Sequence, residues 1–236
     1  MAGVSGPLPK VVFTLGSRFP PLGYLVMDSL MVNSEESLLA QAKAGSCESL
    51  GELLELFSNY LHVLAVGQMG RRLQTRVSTS DVVQETFLEA HQGFPQFRGT
   101  SVPEFYAWLR KILVNNLHRA IEMHIGTQKR DLRREVSLDA LAHSLDQSTT
   151  RLDAILPDRE LSPSRAFAHH ELQLQIANTL AQLPPDYRYV LILRHLESMP
   201  FEEVAKRMER SVGAVRMLWL RAIEALRHEW KGGSSA

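Results

Sequence analysis

Apolar positions recur at helical spacing in two long stretches of this chain, and no clear stretch alternates with the period of a half-buried strand. The first runs from Ser34 to about Ile125, where Leu38, Leu39 and Ala42 are followed by Leu50, Leu53, Leu54, Phe57 and Leu61. The second runs from Ala166 to Trp230, and Pro184-Pro185 and Pro200 cut it into three or four short helices. Between them, residues 126–168 lose the pattern in a run of Ser, Thr, Asp, Arg and Gln punctuated by Pro157 and Pro163. That segment reads as a flexible linker with one short helix around Leu138–Leu145. Residues 1–33 have no periodicity and read as a disordered extension, or as residues ahead of a start at Met27 or Met31. The expected fold is all-α: two small helical domains, 34–125 and 169–230, joined by a linker at 126–168 and followed by a disordered tail at 231–236.

Composition narrows the classes. Of 236 residues 44% are hydrophobic and 22% charged, which suits a globular chain and argues against disorder throughout. The single cysteine, Cys47, can form no internal disulfide and has no cysteine partner for a metal, as expected in a reducing compartment. No run of eighteen apolar residues occurs, so the reading is a cytoplasmic protein without membrane insertion. The 26 basic and 26 acidic side chains cancel, which taken alone counts against nucleic-acid binding. Their distribution is less even. Arg110, Lys111, Arg119, Lys129, Arg130, Arg133 and Arg134 face only Glu122 and Asp131 between 110 and 134, and an acidic stretch follows to Glu160.

The segment Phe201–Leu226 carries the most information. Phe201–Met208 makes a short helix with Val204, Ala205 and Met208 inward. Ser211 then caps a second helix in which Val212, Val215, Trp219, Ala222 and Leu226 fall in one sector. Gly213, Ala214, Met217 and Arg221 lie opposite, with Arg216 and Arg227 on a flank. A small residue at Ala205 allows a close crossing, so the pair has the pattern of a helix-turn-helix. Two positions depart from that pattern: Glu209 stands where such turns prefer glycine, and Arg210 where an apolar plug is usual. With Leu180-Ala181-Gln182-Leu183-Pro184-Pro185-Asp186-Tyr187-Arg188 and Val190-Leu191-Ile192-Leu193-Arg194 upstream, this segment resembles region 4 of bacterial sigma factors of the extracytoplasmic-function (ECF) group. The resemblance implies a domain that reads the −35 promoter element through Ser211, Val212, Gly213, Ala214, Arg216, Met217 and Arg221 and touches the polymerase flap. Ala214, Met217 and Leu218 replace the Thr, Ser and Arg frequent in that family. Contact with thymine methyls and phosphate anchoring by Arg216 and Arg221 are the means left.

The first half carries matching motifs. Ser80 is expected to cap a helix in which Val83, Thr86, Phe87 and Ala90 face inward, while Asp81, Gln84, Glu85 and Leu88 share the outer face. Asp81–Ala90 resembles sigma region 2.2, which implies docking of those four outer residues on the clamp helices of the polymerase's largest subunit. Next comes the loop Phe94-Pro95-Gln96-Phe97-Arg98-Gly99-Thr100, and then Ser101 and Glu104 at capping-box spacing. In the helix that follows, Phe105, Trp108, Leu109, Ile112, Leu113 and Leu117 pack inward; Lys111, Asn115, His118 and Glu122 form an outward stripe. Asn116 faces inward, where it is expected to satisfy backbone groups. This part is similar to sigma regions 2.3 and 2.4, which implies that Phe97, Arg98, Lys111, Asn115, His118 and Arg119 hold the unstacked strand of the −10 element. Aromatic surface, edge donors and cations are the chemistry such a strand needs.

Three rival classes fit the residues less well. A metal enzyme would use His118, Glu122 and His124, or His169, His170 and Glu171, but no third ligand stands at an established spacing. A dimeric duplex-binding regulator leaves the Asp81 face and the basic stripe without a role. An interaction adaptor leaves the helix-turn-helix without one. The expected function is therefore that of a sigma factor, directing core RNA polymerase to promoters and assisting their melting. It is binding work without catalysis or cofactor, and an anti-sigma partner is common in the group.

Overall fold

The computed structural model describes residues 27–69, 74, 76–125, 137–152, 155 and 166–233, and the regular elements among them are all helical. The N-terminal unit consists of α1 (Met27–Lys43), α2 (Cys47–Leu56), α3 (Ser58–Gln68), α4 (Thr79–Gly93), a 3₁₀ turn at Phe94–Gln96, and α5 (Val102–Ile125). Helix α6 (Leu138–Leu152) follows. The C-terminal unit holds α7 (Ala166–Gln182), α8 (Pro185–Leu191), a π-helical turn at Ile192–Leu196, α9 (Phe201–Met208) and α10 (Val212–Gly233).

Local chemistry sets the breaks. Gly45 at φ 104° closes α1, and Ser46 begins α2 by accepting from the Ser49 N–H at 3.2 Å. Pro184 and Pro185 end α7 and start α8. Arg188 reaches back to the α7 terminus, donating to the carbonyls of Leu180 (2.9 Å), Ala181 (2.6 Å) and Leu183 (3.1 Å). The N-terminal core is aromatic: Tyr106 meets Tyr60 at 4.4 Å and Phe57 at 5.0 Å between ring centres, and all three side chains are buried. Helix α3 lies at the centre of the molecule, touching α4, α5, α6, α7 and the π turn.

The sequence pattern and the fold differ in three places. Helix α6 runs to Leu152, well past Leu145, and Leu141, Leu145 and Leu152 are buried against α3 and α5. Its polar run escapes a sequence reading because Ser148, Thr149 and Thr150 bond to the carbonyls of Ser144, Leu145 and Asp146 one turn back. This part of the expected linker belongs to the fold. Helix α1 begins at Met27, inside the segment expected to be disordered, and α10 continues beyond Trp230 to Gly233. The remaining expectations for 1–26, for most of the linker and for 234–236 lie outside the described residues.

Candidate polymerase and nucleic-acid interfaces

Helix α4 starts two residues earlier than expected. Ser78, not Ser80, is the cap, accepting from the Ser80 N–H at 3.2 Å. Val82, Val83, Thr86 and Ala90 are buried and Phe87 is half-buried, so the opposite face is open. Asp81, Gln84, Glu85 and Leu88 are all exposed there, with Leu88 at 52%. An acidic stripe with a large apolar side chain at its centre is suited to a basic protein surface with an apolar slot.

The loop into α5 is held from within. Glu104 Oε2 accepts from the Thr100 N–H (2.6 Å), the Ser101 N–H (3.1 Å) and the hydroxyls of Thr100 (3.2 Å) and Ser101 (3.1 Å). Those donors hold the Glu104 carboxyl below its ordinary range, the Thr100 N–H most strongly. Phe97 is half-buried. Its ring stacks on Phe94 at 5.8 Å and leans on Phe105 and on Trp108 at 5.1 Å. Because Trp108 precedes Lys111 by three residues, this contact seats the loop at the head of the Lys111, Asn115, His118 stripe. Arg98 and Lys111 are exposed and Asn115 and His118 half-buried. His118 Nδ1 lies 3.6 Å from Glu122, and Arg119 is paired with Glu89 of α4 at 2.9 Å. Asn116 differs from expectation, since its amide donates to the Thr86 hydroxyl at 3.3 Å and not to backbone. Two basic side chains went unread in the sequence. Lys43 and His91 line an open pocket with Phe94, Phe97 and Arg98, and Lys43 Nζ lies 5.7 Å from the Phe97 ring centre. They reach it from α1 and α4, so no local pattern could have found them.

In the C-terminal unit Ser211 caps α10, its hydroxyl accepting from the Ala214 N–H at 3.2 Å. Val215, Ala222 and Leu226 are buried and Val212 and Trp219 half-buried; Gly213, Ala214, Arg216, Met217 and Arg221 are exposed. Leu220, which the sequence reading passed over, is 48% exposed beside Met217 at 53%. Glu209 adopts the left-handed conformation (φ 54°, ψ 44°), as the turn requires. Arg210 plugs nothing: it reaches out to Asp186 of α8 at 2.5 Å. Arg216 lies 3.6 Å from Glu202 and 5.6 Å from the Phe201 ring centre, so its guanidinium is braced by α9. Behind the helix the Trp219 indole donates to His195 Nε2 at 3.0 Å. Burial, and then the Arg194 charge, depress the His195 pKa and favour the neutral ring that this bond needs. No group of three potential metal ligands occurs among the described residues, and no helix there is long and apolar enough to cross a membrane.

Comparison with known proteins agrees with the order of these parts. The Sigma-70 region 2 family matches residues 57–124, and Sigma-70 region 4 matches residues 173–226. The chain is 32% identical over 197 residues to the RNA polymerase sigma-H factor of Pseudomonas aeruginosa, covering 84% of this chain and 94% of that protein. It is 29% identical over 196 residues to the ECF RNA polymerase sigma-E factor of Haemophilus influenzae, covering 83% and 95%. The ECF RNA polymerase sigma-E factor of Escherichia coli K12 is 33% identical over 146 residues, covering 62% and 70%. Among solved structures, CnrH in complex with the cytosolic domain of CnrY aligns at 23% identity over 84% of this chain and 98% of that one. Its TM-score of 0.31 is too low for that arrangement to inform this one.

Proposed function

The chain belongs to the sigma-70 family, in its extracytoplasmic-function group, and from that premise we propose how its exposed faces divide the work of promoter recognition. As a sigma factor it directs RNA polymerase to promoters for initiation. Asp81, Gln84, Glu85 and Leu88 bind the clamp helices of the core enzyme's largest subunit. Phe97, Arg98, Lys111, Asn115, His118 and Arg119 hold the melted −10 strand, with Lys111 and Arg119 set against its phosphates. Ser211, Val212, Gly213, Ala214, Arg216, Met217 and Arg221 form the surface laid on the −35 duplex, while the C-terminal unit also meets the flap. All of this is binding in the cytoplasm, and no bond is made or broken by the chain. Where an anti-sigma factor regulates it, Met217 and Leu220 are exposed apolar side chains suited to being covered.

The observation that supports this reading best is the α4 face. Four consecutive outward positions are exposed, and the largest of them is an apolar residue, Leu88, left 52% exposed among the described residues. The test is run-off transcription from a promoter library with cognate core polymerase. Wild-type protein is expected to yield transcripts sharing a pair of upstream elements, and Asp81→Arg to lose them along with core binding. Core polymerase that neither binds the chain nor makes new transcripts with it would defeat the reading.

A further inference from the structure

A pocket opens beside the loop assigned to the melted strand, and its walls come from separate parts of the N-terminal unit. It encloses about 530 Å³, within the ~300–1,000 Å³ usual for small-ligand sites. Buried Leu50 and Phe94 and half-buried Phe97 give it apolar and aromatic surface. Lys43 from the end of α1, His91 from α4 and Arg98 from the loop give it a basic rim, and all three are exposed. No carboxylate lines it among the described residues, so the charges of Lys43 and Arg98 are not cancelled at the site. Aromatic surface beside uncancelled cations is the chemistry that holds a nucleotide, a ring for the base and cations for the phosphate.

Both walls are fixed before anything binds. The turn between α1 and α2 is closed by the Gly45 N–H on the Ala42 carbonyl (2.9 Å) and the Ser46 N–H on the Gln41 carbonyl (3.0 Å), with Gly45 at φ 104°. The Ser49 hydroxyl donates to Gln41 Oε1 at 2.9 Å and ties α2 to α1. Across the pocket the Phe97 N–H closes the 3₁₀ turn on the Phe94 carbonyl at 2.9 Å. The Phe94 and Phe97 rings stack, and Lys43 Nζ stands 5.7 Å from the Phe97 ring centre. At Gly45 the rim is open, since a Cβ there would meet nothing within 4 Å.

We propose that this pocket takes one unstacked nucleotide of the melted strand, next downstream of those held along α5, with its base against Phe97 and its phosphate between Lys43 and Arg98. The proposal rests on the reading of this chain as a sigma factor and deepens it, because Phe97 and Arg98 belong to both the strand surface and the pocket. Chain order sets the direction. The residues after α5 lead toward the unit assigned to the −35 element, so the strand arrives from upstream by Arg119 and His118 and reaches Phe97 and the pocket last. An acidic protein segment would use the cations but leave the aromatic rings idle. Rings and cations hold a base by stacking and charge, with little regard to its identity. Lys43 and His91, from helices outside the loop, thus lengthen the grip on the strand by one nucleotide.

Missing-base scanning of the open complex tests this with the full chain and core polymerase. Promoters carry one abasic site at each non-template position in turn, downstream of the −10 contacts. For the parent, one position is expected to weaken the open complex by about tenfold, the worth of one stacked base, while exchanging that base for another costs less than about twofold. Lys43→Glu, which sets a carboxylate against the phosphate, should erase the sensitivity at that position and leave the other positions as they were. Lys43→Ala should lower the slope of log affinity against log salt by about 0.7, the value for one single-strand phosphate. Cys47, the single cysteine of the chain and a lining residue, reports occupancy directly. Its alkylation by N-ethylmaleimide, read by mass spectrometry, should run several-fold slower in the open complex than in the holoenzyme without promoter. Equal alkylation in the two states, or a Lys43→Glu effect spread over every position, would overturn the pocket. So would full protection before promoter is added, which would mean that polymerase itself covers the site. If the parent forms no open complex at all, the sigma reading falls, and the occupant of the pocket with it.

Discussion

In the loop that leads into α5, one carboxylate takes four donors and Gly99 fits against the Phe97 ring. In the turn that leads into α10, a non-glycine residue sits left-handed and an arginine reaches outward to another helix. In the proposed function both segments carry a DNA-facing surface. The first would meet a melted strand with aromatic rings already wedged in place, and preorganisation of that kind reduces the ordering cost of binding. The second would lay on duplex a helix whose outer face is Gly213, Ala214, Met217 and Leu220 with arginines beside it. Such a face favours phosphate anchoring and fit over a dense hydrogen-bond code. In that reading the loop is the precise part of this molecule, and the recognition helix would work through charge and shape.

The severest way to break that contrast is Gly99→Val. Even the Cβ would lie 2.6 Å from Phe97 Cε2 and 2.9 Å from the Glu104 Cβ, and the ring cannot yield because Phe94, Phe105 and Trp108 hold it. Open-complex formation is expected to fall by about tenfold to a hundredfold, as when an element of a preorganised site is displaced by an ångström. Permanganate footprinting of unpaired thymines reads this directly. Unchanged melting with Gly99→Val would show that the loop adapts, and the contrast would collapse.

Arg221→Ala probes the other side with a smaller effect. If Arg221 anchors phosphate, binding of the holoenzyme should weaken by about tenfold on every promoter alike, and the slope of log affinity against log salt should drop by about 1. A loss confined to promoters with one base at one position would instead mean direct readout.

These two surfaces were unequally legible in the sequence. The capping box of Ser101 and Glu104, the Ser211 cap and the buried sector of α10 are local patterns, and each stands in the structure as the spacing implied. The exposed faces of α4 and α10 followed from the same periodicity. What escaped is non-local. Gln68 and Glu197 meet across 129 positions, and Lys43 and His91 join Arg98 from separate helices. The polar run of α6 concealed a packed helix because its hydroxyls bond backward within it. A pattern of side-chain types reports faces; it does not report which faces meet.

Glu35 sharpens the comparison where the units adjoin. Burial first, and then the carboxylates of Glu171 on α7 and neighbouring Glu36, raise its pKa to about 7 from an ordinary 4.5. Between those values the folded chain holds a proton that the unfolded chain has lost, so stability falls as pH rises from about 4.5 to about 7. Glu35→Gln should remove that slope. After allowance for partial solvent exposure, it should stabilise the protein on the order of 1–2 kcal/mol at pH 8, or about 2–6 °C in Tm, and change little at pH 4. Thermal melts across this range decide it, and parallel profiles for parent and variant would refute the assignment.

The smallest expected effect returns to the turn before α10. The left-handed geometry of Glu209 costs a residue with a Cβ roughly 1 kcal/mol relative to glycine. The turn is nonetheless fixed by the Arg210 N–H on the Ala205 carbonyl at 3.0 Å and by the Arg210–Asp186 pair at 2.5 Å. Glu209→Gly relieves the backbone, but a freer unfolded chain returns part of the gain, leaving about 0.5 kcal/mol of stabilisation. Because the Glu209 side chain is placed in none of the DNA contacts, promoter preference should not change. Denaturant midpoints read the first expectation and transcription from the promoter library the second. A variant that is less stable than its parent would mean that the carboxylate itself supports the turn, and then the recognition helix would be as deliberately held as the loop.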